Sequence, residues 1–216
     1  WNIEWTRKEI HESGSQLVIC HHLNDYKKYQ IMNIEGVKFI YIGHGANKDI
    51  FKDYKLKKIY DILLVGKLSW AYPLRTKFMN LLPLLKKKYN CHIHEHPGYN
   101  LKDSHTGRYL REMAHEINKS RIVLTCSSKF KYRLGKYVEI PMCGTAVLCG
   151  DTPDDIDDYS FIIEVSNNMS EQNIYEVICD YLDNEDKRLE KVTKGLEFAK
   201  EYTAEKYAER ILKEIT

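Results

Sequence analysis

Apolar runs alternate with amphipathic stretches along this chain, most clearly from Tyr60 onward. The segment YDILLVG, residues 60–66, is apolar on both faces, as a central parallel strand must be when helices cover both sides of its sheet. Next, Leu74, Phe78, Leu81, Leu82 and Leu85 recur at helical spacing, with Pro83 expected to kink or end that helix. Residues 91–94 predict a strand, followed by a Pro97-Gly98 turn. Leu110, Met113, Ala114 and Ile117 line one helix face, and residues 122–126 return to strand. A polar loop (127–134), a short amphipathic helix carrying Lys136 and Glu139, a Cys-Gly-Thr break and a buried strand (146–149) follow. Residues 161–165 predict the last strand, and residues 174–182, 185–202 and 203–215 predict helices. Strands alternating with helices predict a doubly wound α/β domain with a mostly parallel sheet.

The amino-terminal part repeats the rhythm on a smaller scale. Residues 1–16 place Ile3 and Ile10 on one face of an exposed helix that Gly14 closes. Two short apolar strands, 17–20 and 37–42, flank the polar segment 21–36, which gives a β-α-β unit. His44, Gly45 and Asn47 are turn signals, and the lysine-rich connector 51–58 puts a domain boundary near Lys55. The chain opens on Trp1 without methionine, which suggests a processed chain or an excised fragment.

With 43% hydrophobic and 30% charged residues, the 216-residue chain has the balance of a folded globular protein. A net charge of +2 from 33 basic and 31 acidic residues argues against an electrostatically driven nucleic-acid binder. Cys20, Cys126, Cys149 and Cys179 sit inside apolar runs, where small buried thiols are common, so reduced cysteines and a cytoplasmic setting are expected. No CxxC pair suggests zinc, no apolar run is long enough to span a membrane, and no signal-peptide layout is visible.

In open parallel sheets, ligands bind where strand carboxyl ends meet helix amino termini, which directs attention to residues 121–151 and to Gly66-Lys67-Leu68-Ser69. A strand-end glycine permits close backbone approach, and Lys67, Arg75 and Lys77 are cations within reach of a phosphate. Neither GxGxxG nor GxxxxGK[ST] is present, and Arg75 and Lys77 equally fit a solvated helix face. Lys136 and Glu139 share a helix face, either as a surface ion pair worth at most ~0.5 kcal/mol or with Glu139 accepting from ribose hydroxyls. His92, His94 and His96 alternate on one strand face; with Glu95 on the other face a metal cluster lacks ligands, and His94 or His96 lining the cleft is the better reading. His44 fits an interdomain hinge. No GxSxG elbow or HExxH motif supports a hydrolase.

The pieces YDILLVGKLSWAYPLR, LGKYVEIPMCGTAVLCGD and FIYIGHGANKDIF resemble the carboxyl-terminal half of a GT-B glycosyltransferase of the group 1 or CgeB-like set. The resemblance implies a Rossmann-like donor domain over residues 56–216, with 1–55 as the end of an amino-terminal acceptor domain and its linker. It implies ribose binding by Glu139 and diphosphate binding by Lys67 and Leu134-Gly135-Lys136. Gly66, Arg75, Ser127, Gly144 and Thr145 complete the donor-site candidates, and no catalytic residue or metal ligand is assigned. The implied donor is a nucleoside-diphosphate sugar, with no tightly bound cofactor and no bound metal, and with a glycan, protein or small molecule as acceptor. Many members carry a second glutamate eight positions before the one matching Glu139, where this chain has Lys131. That departure, and the half-length coverage, leave two other readings open: a non-catalytic nucleotide-sugar-binding or assembly module, and another sheet enzyme such as a nucleotide-sugar epimerase using His94 and His96.

Overall fold

The computed structural model describes residues 3–98, 103–155 and 157–215. Its elements form two parallel sheets. The smaller comprises α1 (Ile3–Ser13), β1 (Leu17–Cys20), α2 (Leu23–Gln30) and β2 (Lys38–Tyr41), with Leu17 opposite Lys38 and Cys20 opposite Tyr41. Gly14, at φ +63°, takes the left-handed turn that lets α1 pass directly into β1. Ile10, Cys20, Tyr29 and Met32 make its small core.

The larger unit contains β3 (Tyr60–Val65), α3 (Pro73–Leu85), β4 (Cys91–His94), α4 (Asp103–Asn118), β5 (Ser120–Leu124), α5 (Lys136–Met142), β6 (Val147–Gly150), β7 (Ile163–Glu164), α6 (Glu171–Asp183), α7 (Glu185–Lys200) and α8 (Ala204–Ile215). Its strand order is β4-β3-β5-β6-β7, all parallel. The doubly wound sheet expected from sequence is therefore present. The continuous apolar run of β3 has a simple cause. Leu63 and Val65 join Met113 and Ile117 in the core under α4, while Ile62 and Leu64 join Leu74, Phe78 and Leu81 under α3. Each such large side chain contributes roughly 1.5–3 kcal/mol when buried.

Two local features differ from expectation. Pro83 sits inside α3 without breaking it; the helix ends at Leu85, where the Lys86 amide donates to Leu82 and Leu84 carbonyls. The last strand is shorter than its apolar run, because Phe161 and Ile162 bury in the core beside Ala199 of α7 and leave only Ile163–Glu164 on the sheet.

Ala46 links the units. Its amide donates to the Tyr202 carbonyl (2.8 Å) and its carbonyl accepts from the Ala204 amide (3.0 Å). Ala46 and Phe51 bury in the larger unit's core. Helix α8 runs back along the smaller unit, where Lys38 pairs with Glu214 at 2.8 Å. Among the described residues no helix is long and apolar enough to cross a membrane.

Candidate functional site

Strand order reverses at β3, with β4 on one side and β5 on the other. Such a switch point opens a crevice at the strand carboxyl ends. Here it is a cleft of about 290 Å³. Of the residues singled out from sequence, Gly66, Lys67, Arg75, Leu134, Gly135, Lys136 and Glu139 all line it.

Gly66 turns the chain out of β3 at φ +100°, and a Cβ there would sit 2.7 Å from the Arg75 guanidinium carbon. Only glycine fits this turn. Arg75 is 3% exposed, so it is no solvated helix cation. Its guanidinium donates to the Lys67 carbonyl (3.1 Å), Thr125 Oγ1 (3.3 Å) and the Cys126 carbonyl (3.2 Å), and lies 4.2 Å over the Tyr72 ring. It thereby ties the loop after β3 to the end of β5. Lys77 points elsewhere: its ammonium donates to the Asn167 and Met169 carbonyls ahead of α6.

Lys136 and Glu139 pair at 2.7 Å with side chains only 16% and 15% exposed. The pair is held inside the cleft wall, where charge interactions are less screened than in a solvated ion pair. With Lys67 and Arg75 the lining carries three cations against the single carboxylate of Glu139. His96 also lines it, its Nδ1 accepting from the Gly98 amide at 3.0 Å. Burial, then Lys136, Lys67 and Arg75, push His96 below the ordinary imidazole value. His94 lines an adjoining hollow of about 380 Å³ and tilts against Tyr109, whereas His92 stacks on Tyr60. His94 and His96 thus share Tyr109 as a ring neighbour, at 4.9 and 6.0 Å, and His92 stands apart from them.

The opposite wall comes from the smaller unit. His44 and Gly45 face the cleft. His44 stacks on His21 with centroids 4.6 Å apart and meets His22 edge-on at 5.3 Å. Sequence read His44 as a turn and hinge residue; the signal for a wall was its place just beyond a strand's carboxyl end. Burial, with His21, His22, Arg133 and Lys136 all opposing a further positive charge, pushes His44 from 6.5 down to about 3. As pH falls below 6.5 the unfolded chain takes up a proton here that the folded chain refuses, so stability declines with pH toward about 3. Thermal unfolding followed against pH should show this decline, and His44→Asn should flatten it; an unchanged slope would assign the effect to other groups.

Ser127, Gly144 and Thr145 stand away from the cleft lining. The Ser127 amide and hydroxyl bond to the Asp151 carboxylate (2.8 and 2.6 Å). Gly144 turns the chain after α5 against Leu196, and the Thr145 carbonyl accepts from Lys58 Nζ at 2.5 Å. Lys131 pairs with Asp151 at 3.0 Å.

A family model described as glycosyl transferase-like matches residues 75–213. The chain belongs to the glycosyl transferase-like family. No curated protein matches this family member in sequence. Sucrose-phosphate synthase from Thermosynechococcus elongatus shares the fold at a TM-score of 0.67 and 12% identity, over 91% of this chain and 57% of that one. HepE from Anabaena, solved with UDP and glucose, gives 0.65 and 11% over 93% and 62%. TarM from S. aureus, solved with Fondaparinux, α-GlcNAc-glycerol and UDP, gives 0.62 and 13% over 92% and 43%. The glycosyl transferase-like chain thus spans between 43% and 62% of the length of these three structures, whose likeness shows the GT-B fold.

Proposed function

We propose that this chain is the donor-binding part of a glycosyltransferase that moves a sugar from a nucleoside-diphosphate sugar to an acceptor. One observation carries the reading: a cation-rich cleft lies at the switch point of a sheet in a glycosyl transferase-like chain, with Lys67, Arg75 and Lys136 converging beside the carboxylate of Glu139. Glu139 takes the ribose hydroxyls as a charged acceptor. Lys67 and Lys136 take the diphosphate, and their charge stabilises it as it leaves, where preorganised cations act most strongly. Arg75 holds the Lys67 loop and adds to the positive field. With charge supplied by side chains, transfer proceeds without bound metal. That HepE and TarM were solved with UDP supports a nucleotide at this place, and UDP is the first donor base to test.

Calorimetry of the chain against UDP, GDP and ADP should show saturable binding of one of them, unchanged by a metal chelator. Absence of binding by all three would overturn the donor reading. The Lys131–Asp151 pair, at the position where many relatives carry a glutamate, favours a second reading as a nucleotide-sugar-binding module without transfer. Nucleotide affinity retained by the full-length protein with no sugar transferred would decide for it.

A further inference from the structure

A row of aromatic rings runs from the protein surface to the cleft. Trp70, in the loop after β3, is 73% exposed, and Phe130, in the loop after β5, is 46% exposed. Lys129 Nζ bridges them, 3.6 Å from the Trp70 ring centre and 5.0 Å from that of Phe130. Phe130 stacks toward Tyr132 at 5.4 Å, Tyr132 stacks on His22 at 4.0 Å with the planes 2° apart, and His22 meets His44, a cleft residue. Tyr72, two residues after Trp70, lines the same cleft.

The row is preorganised. The Lys129 amide donates to the Ala71 carbonyl (2.8 Å), Tyr132 donates to Asp25 (2.6 Å), and the Phe130 carbonyl accepts from Asn24 (3.4 Å). Two loops of the larger unit and helix α2 of the smaller one therefore hold it. Large rings left this open and this fixed need a function, since an exposed indole held by neighbours costs order and gains no burial.

We propose that Trp70, Phe130 and Tyr132 form a carbohydrate-binding platform that receives the acceptor glycan and leads its end into the cleft; the acceptor role rests on the transfer function proposed above. A pyranose presents a flat face of C–H groups with hydroxyls at its edge. Such a face suits an aromatic ring, which offers apolar area with little side-chain entropy to lose. Lys129 Nζ lies over one face of the exposed Trp70 ring and leaves the other to a sugar, and its ammonium and the Tyr132 hydroxyl, which donates to Asp25, offer polar partners to ring hydroxyls. Of the carboxylates beside these rings, Asp25 accepts from Tyr132 and Asp151 pairs with Lys131, so neither stands free to repel or select a charge. A neutral oligosaccharide is the ligand this chemistry fits.

The test titrates the chain with maltohexaose, cellohexaose and chitohexaose at millimolar concentration, read by tryptophan fluorescence and saturation-transfer NMR. At least one should bind saturably, and Trp70→Ser and Phe130→Ser should each weaken it about fivefold. UDP, GDP and ADP binding should be unchanged in both variants, and circular dichroism should show both folded. No binding by any of the three glycans, or binding that survives both substitutions, overturns the platform. So does a Trp70-dependent self-association or vesicle binding in place of glycan binding. A chain that binds nucleotide but no glycan loses only the platform. A chain that binds glycan but no nucleotide loses the donor reading and, with it, the acceptor role.

Discussion

Replacing Glu139 with alanine should weaken nucleoside-diphosphate binding about ten- to a hundredfold, because hydrogen bonds to a charged acceptor are worth roughly 1.5–3 kcal/mol each. The fold should survive. Helix α5 is anchored by Tyr137, Val138 and Ile140, all fully buried, and the Tyr137 hydroxyl donates to the Asp151 carbonyl. The substitution has a second effect of opposite sign. It releases Lys136 from its 2.7 Å pair, so the cleft gains net positive charge. Inorganic pyrophosphate, which has no ribose, should then bind as well as before or better. Calorimetry with the bound nucleotide and with pyrophosphate separates the two roles: ribose recognition predicts a loss for the first alone. Equal losses for both ligands would make Glu139 part of the phosphate site's architecture. A collapse of thermal stability with nucleotide affinity retained would make it structural.

Sequence made much of this site legible, for definable reasons. A strand buried on both faces has to be apolar throughout, so β3 announced itself, and the glycine and lysine that follow it had to stand at the sheet's carboxyl edge. Helix α6 was readable because its apolar spacing is local; the structure adds caps at the starts of α6 and α7, where Ser170 and Asn184 accept from the Asn173 and Lys187 amides. What stayed hidden depends on contacts far apart in the chain. Arg75 fitted a donor-site cation and a solvated helix face equally well in sequence, since the groups that bury it, Thr125 and Cys126, come just after β5, about fifty residues on. Ser127 read as a candidate ligand in its loop, and nothing near it in sequence announced Asp151, 24 residues later, which accepts from its amide and its hydroxyl. Local pattern reports which face of an element is buried; it carries no record of which distant polar group comes to meet it.

Arg133 is the extreme case, and Arg133→Met should cost about 3–5 kcal/mol of stability, the range for removing one partner of a buried ion pair. Its side chain is 2% exposed and sits between Asp155 (3.1 Å) and Asp157 (2.7 Å), whose side chains are 4% and 22% exposed. It also donates to the Tyr41 hydroxyl (3.2 Å) and lies 4.2 Å over the Tyr202 ring. Tyr159 and Tyr202 donate to the same two carboxylates. Burial pushes Tyr41 up to about 12, so its phenol keeps the proton it donates to Asp155. Gly43 supplies the room, since a Cβ there would fall 1.8 Å from the guanidinium. Methionine fills part of that volume but leaves Asp155 buried without its cation. Lysine keeps the charge yet cannot fork to two carboxylates, so Arg133→Lys should fall between the two. Urea unfolding measures both, and adding Asp155→Asn to Arg133→Met should recover part of the loss, because the stranded charge is then gone. If the double variant is as unstable as the sum of the singles, the carboxylate is not what makes the loss large. Tyr41 belongs to the smaller unit and the aspartates to the larger, so this cluster also sets how the His44 wall meets the Lys67 wall. Nucleotide affinity should therefore fall in Arg133→Met and return in step with stability in the double variant.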